Sequence, residues 1–169
     1  MKEWTSSLVF LFIFSFFILN SSAAQLRTQT QPASLPKPEA VAETRLLMEA
    51  LNQPNFRGLE RLLAARPANT ETWTFARGQA LLIAETGNLL MLRQPRTEGR
   101  AEWLQRAAEL RTSATRLARS IAARNYDQSR TMLSSLANSC NRCHQAFRVP
   151  TRITPFAGSS DRPGTPPAP

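Results

Sequence analysis

The chain has 169 residues, enough for one domain with its own core and too few to divide among several. Its formal net charge is +9, carried almost entirely by arginine because lysine occurs only at Lys2 and Lys37. A basic balance of this kind admits nucleic acid, anionic lipid or acidic proteins as partners, but glutamates are spaced among the arginines, as in Glu102-Arg106, Arg106-Glu109 and Glu39-Glu43-Arg45, which is the pattern of solvated helix faces.

The amino-terminal segment narrows the choice. Leu8 to Leu19 is an apolar run broken only by Ser15, with Lys2 before it and the small residues Ser21-Ser22-Ala23-Ala24 after it. This predicts a signal peptide over residues 1–24, cleaved after Ala24. An uncleaved anchor is the competing reading, but the run is shorter than the roughly 20 apolar residues that span a bilayer. No cysteine directly follows the run to accept a lipid. The expected location is therefore the periplasm, without stable membrane insertion after cleavage and without nucleic acid as a partner. That compartment is oxidising, so two neighbouring cysteines are expected to be covalently committed or oxidised. Residues 25–37 have no apolar periodicity and read as a flexible leader.

From Pro38 onward helical spacing recurs and no stretch alternates with the period of a strand, which predicts an all-α domain over residues 38–148. Pro38 suits a first helical position, and Val41, Thr44, Met48 and Leu51 share a stripe. A break is expected at Asn52-Gln53-Pro54-Asn55, because proline pushes its predecessor away from helical angles. Phe56 to Arg66 is either a short separate helix or a continuation. Asn69 or Thr70 then caps a second helix that runs to about Arg93, with the stripe Trp73, Ala76, Ala80, Ile83, Gly87 and Leu90. Thr97 is the expected cap of a third, whose stripe is Trp103, Ala107, Leu110, Ala114, Leu117 and Ile121. Asn125, with Gln128 three residues on, resembles a capping box opening a fourth helix that carries Leu133, Leu136, Cys140, Cys143 and Phe147 and stops before Pro150. Short connections favour antiparallel neighbours, so the expected assembly is a four-helix up-and-down bundle. The remainder, Val149 to Pro169, holds six prolines and is expected to be a disordered, dispensable tail.

The chemistry is concentrated in Cys140-Asn141-Arg142-Cys143-His144, which contains both cysteines and the only histidine of the chain. On a helix, Cys140 lies three residues before Cys143 and four before His144, so all three share a face one turn apart. Two thiols at that spacing reach two vinyl groups on one edge of a porphyrin, and the imidazole reaches its iron. A zinc site would require a fourth good ligand, and no second histidine exists to supply one. A thioredoxin-like disulfide would place its first cysteine at a helix amino terminus of an α/β fold, whereas this pair lies late in a helix of an all-α chain. The motif therefore predicts one covalently attached haem c, held by Cys140 and Cys143 and ligated by His144.

Cys143-His144-Gln145-Ala146-Phe147-Arg148, together with Trp103 near the start of the third helix, resembles the cytochrome c′ and cytochrome c556 family of class II c-type cytochromes. The resemblance runs over Trp103 to Arg148, and over Pro38 to Arg93 only in helix count and order. Asn52 to Arg66 departs from the pattern. It implies a haem lying inside the bundle, and the small residues Ala76, Ala80, Ala84 and Gly87 either leave room for such a flat group or serve close helix packing. It implies that Arg148, the basic residue one turn beyond His144, tunes the proximal imidazole, unless that arginine is simply a solvated helix-end cation. It places the sixth iron ligand, where there is one, at Met48, with Met91 the weaker alternative. With Met48 bound the protein would be an electron carrier serving redox partner proteins, and with that position empty it would bind small gases such as nitric oxide or carbon monoxide. A homodimer through the first two helices is implied as well. An enzyme of peroxidase type is not expected, because no second histidine is available as a distal acid or base.

Overall fold

The computed structural model describes residues 35–96 and 98–156, so the expected signal peptide, most of the expected leader, Thr97 and residues 157–169 lie outside the described residues. The chain divides into two units, 1–37 and 38–169. Of the first only residues 35–37 are described, and these are irregular and exposed. Among the described residues, every helix lies in the second.

Its helices begin later than Pro38 suggests. Residues 38–43 are not helical, Val41 is 93 % exposed, and α1 (Thr44–Leu47) starts with Glu43 in extended geometry at its cap. Leu47 takes the buried place expected of Val41. The chain then passes through a π-helical turn (Met48–Asn52) directly into α2 (Gln53–Leu62), so the expected break at Asn52-Gln53-Pro54-Asn55 is absent. The reason is local. A π turn shifts the hydrogen-bond register by one, which is a known way for a helix to accommodate a residue that cannot donate, and Gln53, just before Pro54, keeps helical angles of φ −61° and ψ −49°. The Asn55 side chain donates to the Leu51 carbonyl at 2.6 Å, adding a donor inside the widened turn. Phe56 to Leu62 therefore continues the first helix.

The next three helices follow their sequence signals closely. In α3 (Thr70–Met91), Asn69 caps the amino terminus by accepting from the Thr72 N–H at 2.8 Å, and all six residues of the expected stripe are buried. α4 (Arg100–Ala122) buries Ala107, Leu110, Ala114, Leu117 and Ile121, with Trp103 half-buried. Its cap position belongs to Gly99 at φ 84°, a left-handed conformation that glycine adopts without steric cost, and not to Thr97. α5 (Tyr126–Ala146) opens on Asn125, whose side chain accepts from the Gln128 N–H at 3.1 Å. No strand occurs among the described residues, and none of their helices is long and apolar enough to cross a membrane.

Four helices thus pack against one another: the composite first helix, α3, α4 and α5. Their directions alternate. Arg93 at the end of α3 donates to the Ala42 carbonyl ahead of α1, Arg124 after α4 reaches Thr70 at the start of α3, and Tyr126 and Arg130 at the start of α5 reach the Leu63 carbonyl after α2. Leu59, Leu63, Ile83, Leu117, Ile121, Leu133 and Leu136 form the fully buried centre, each contributing roughly 1.5–3 kcal/mol by leaving water.

The small residues of α3 serve close packing. A Cβ built on Gly87 would lie 2.8 Å from the Ala107 carbonyl oxygen and 2.9 Å from the Arg111 nitrogen, so the backbone of α4 fills the space beside it. Between α4 and α5 the contact is partly polar, with Ser113 and Ser139 hydroxyls 2.8 Å apart and those of Ser120 and Ser129 3.1 Å apart.

The first residues of the expected tail are also corrected. Ile153 and Phe156 pack on the core, and the Phe156 N–H donates to Glu60 of α2 at 3.0 Å. Arg130 of α5 lies over the Phe156 ring, 3.9 Å from its centroid. A segment rich in proline cannot continue a helix, but it retains side chains that can cover a seam.

Candidate functional site

The end of the bundle where α3 stops and α4 starts also receives the end of α5, because neighbouring helices run in opposite directions. Trp103 marks the junction. Its indole N–H donates to the Leu90 carbonyl in the last turn of α3 at 2.7 Å, and its ring meets Phe147 edge to face with centroids 5.1 Å apart. The motif residues lie in the last two turns of α5, beside this pair.

Cys140 is buried and Cys143 half-buried, and neither is in a disulfide. Burial pushes the Cys140 thiol up to about 12, with a smaller push from Cys143. The Cys143 thiol is raised too, again chiefly by burial, against the lowering influence of Arg106. Both sulfurs are therefore held as neutral thiols on the inward face of the helix. Around them Arg106 pairs with Glu109 at 2.9 Å and with Glu102 at 3.3 Å, and Arg142 reaches Glu109 at 3.5 Å. Burial works to raise the Glu109 carboxyl, yet the bond and charge of Arg106 prevail and leave it below its ordinary value.

His144 is only partly buried, and its Nδ1 lies 2.9 Å from the Thr151 carbonyl oxygen. A carbonyl can only accept, so Nδ1 carries a proton, and in the neutral form of the ring the lone pair is then at Nε2. That is the state in which imidazole ligates a metal, and a second hydrogen bond on the other ring nitrogen is the usual accompaniment. Among the described residues no three His, Cys, Asp or Glu side chains gather into a metal-binding group, so the donor set here is one imidazole beside two thiols. Those residues fit a haem held by two thioethers and one imidazole, which supplies its own four nitrogen ligands.

Arg148 is placed differently from its sequence expectation. The helix ends at Ala146, and Arg148 adopts φ 55°, in the left-handed region. The Arg148 N–H bonds to the Gln145 carbonyl at 3.3 Å and the Val149 N–H to the His144 carbonyl at 2.8 Å, the paired bonds of a Schellman cap. Arg148 thus leaves the helix before it can lie one turn above His144, and its side chain is exposed. The group that meets the imidazole is the Thr151 backbone, which carries no sequence signature.

Met48 is half-buried in the first position of the π turn, near the same end of the bundle, and its sulfur accepts from the Asn52 side-chain amide at 3.6 Å. Met91, the last residue of α3, is also partly buried against the core. Met132 lies earlier on α5, away from this end. No protein-family model matches the chain, and no curated protein or solved structure is similar to it.

Proposed function

We propose that this protein is an exported, periplasmic class II c-type cytochrome, related to cytochromes c′ and c556, that transfers electrons through one covalently bound haem. The observation that carries the reading is the arrangement on α5: two neutral thiols and the only histidine share the last two turns, and that histidine is hydrogen-bonded so that Nε2 is its free nitrogen. Cys140 and Cys143 hold the haem, and His144 ligates its iron. When bound, such a group supplies a one-electron iron couple shielded from water by the protein around it. The chain's own contribution is the apolar surround, including Trp103 and Phe147, and the orientation of the imidazole. We place the haem in the bundle on the inward side of α5.

Met48 is the proposed sixth ligand, which makes this an electron carrier rather than a gas-binding protein or an enzyme. Its half-buried position at the proper end of the first helix supports that role, and the π turn gives local freedom to aim its side chain. Its redox partners are acidic proteins matched to a chain of net charge +9. Exposed apolar side chains on α1 and α3, Leu46, Phe75 and Leu82, support association of two copies through the first two helices.

The test is an absorption spectrum of the protein matured in a host with a c-type assembly system. Acid-acetone extraction should leave the haem on the polypeptide, and replacing both Cys140 and Cys143 with alanine should release it. A correctly exported but colourless protein would refute the reading. The wild type should be low-spin and slow to bind carbon monoxide, while Met48→Ala should be high-spin and bind it readily; a high-spin wild type unaffected by that substitution would shift the function to gas binding.

A further inference from the structure

The segment that follows α5 lies where the first and last helices approach each other only sparsely. It is anchored from both sides. Toward α5, the Asn141 amide donates to the Ile153 carbonyl at 2.8 Å while its oxygen accepts from the Ile153 N–H, also at 2.8 Å. One side chain therefore satisfies both backbone groups of one residue, as a neighbouring strand would. Toward α2, Phe156 bonds to Glu60. Pro150 and Pro155 restrict the backbone within the segment, so less conformational freedom is lost when it docks. Midway between the Schellman cap and the Asn141 clamp sits Thr151, whose carbonyl receives the His144 Nδ1–H.

We infer that Thr151 is a positioning residue for the iron ligand and that Asn141, inside the attachment motif itself, is the clamp that holds it there. The inference rests on the reading of His144 as that ligand. Its physical content is twofold. A fixed Nδ1–H···O=C bond stops the ring from rotating, and it makes Nε2 more basic, which favours the oxidised over the reduced iron. The two middle residues of the motif have no part in forming the thioethers, so Asn141 is free to take this second role. Arg142, its neighbour, turns instead toward Glu109 and Ser139.

Because His144 is the only histidine, its imidazole nitrogens can be observed without ambiguity by ¹⁵N magnetic resonance in the full chain before haem is attached. At pH about 8.5, where imidazole is neutral, the wild type should show the Nδ1–H tautomer, and Asn141→Ala should shift the population toward Nε2–H. In the haem-loaded protein, Asn141→Ala should keep the covalent haem and raise the ratio of reduced to oxidised protein at a fixed solution potential by about tenfold, the order of effect that loss of an outer-shell partner has on the affinity or activity of a metal site. If Asn141→Ala impairs haem attachment, the tautomer shift decides alone. An Nε2–H tautomer in the wild type, or a tautomer and redox ratio unmoved by Asn141→Ala, overturns the inference. A wild type that never acquires haem overturns the functional reading instead and leaves the tautomer result standing, so the two failures are distinct.

Discussion

The seam between α3 and α4 and the seam between the first helix and α5 are built on opposite principles. At the first, Gly87 and a row of alanines bring two long helices together until backbone nearly touches backbone, and the contact runs through most of their length. At the second, the helices stay further apart and an irregular segment spans them, fastened by Asn141, Glu60 and Arg130. A seam made of interlocked main chain has one arrangement and tolerates no added atom. A seam made of a fastened strap can be loosened one bond at a time. The His144 side of the candidate site lies on the second kind of seam, where a ligand's surroundings can be adjusted without dismantling the core.

Four outcomes test that contrast. Leu117, wholly buried in α4, belongs to the core beneath both seams; Leu117→Ala should cost about 3 kcal/mol of unfolding free energy, read from urea denaturation. Gly87→Ala attacks the tight seam alone. Alanine gains roughly 1 kcal/mol in helix propensity, but its methyl would press on α4 backbone atoms at 2.8–2.9 Å that cannot yield cheaply, so the net effect should still be a loss of about 1–2 kcal/mol. A neutral or stabilising result would show that the helices can slide apart, and the contrast would fail.

The strap should respond more gently. Phe156→Ala removes a partly buried ring beneath the Arg130 guanidinium and should cost about 1 kcal/mol, with amide exchange quickening around Thr151 and Ile153 and little change in α3 or α4. Faster exchange throughout the bundle would mean that strap and core unfold as one. The fourth test is one of pH. In the thiol form of the protein, Cys140 ionises near 12 when folded against an ordinary value of 9.0. Between those values the unfolded chain has already lost its proton while the folded chain keeps it, so stability is complete below pH 9 and declines as pH rises toward 12. Urea midpoints taken on either side of pH 9 should show this decline, and Cys140→Ala should remove that part of it.

Much of the scaffold was legible because its signals are local. Asn69 and Asn125 sit where caps were expected, and the stripes of α3, α4 and α5 are buried save the half-buried Trp103, Cys143 and Phe147, since a 3.6-residue period leaves little choice about which face turns inward. Pro54 misled because a rule about single residues ignores what the next turn can do: a π turn absorbed the proline. Val41 misled because an apolar side chain on a stripe has no helix to stand on when the chain enters the helix three residues later.

The sequence by itself determined an all-α chain, most of its helices and their inward faces, and the placing of Cys140, Cys143 and His144 on one face of one helix. All of these follow from side-chain identity and spacing along a single segment. Only the tertiary structure decided that Gly87 is filled by α4, that Arg148 turns away in a left-handed cap, and that the Thr151 carbonyl meets His144. Each of these depends on where a backbone atom lies relative to another part of the chain, and every residue has the same carbonyl and, proline aside, the same N–H, so no residue type announces it.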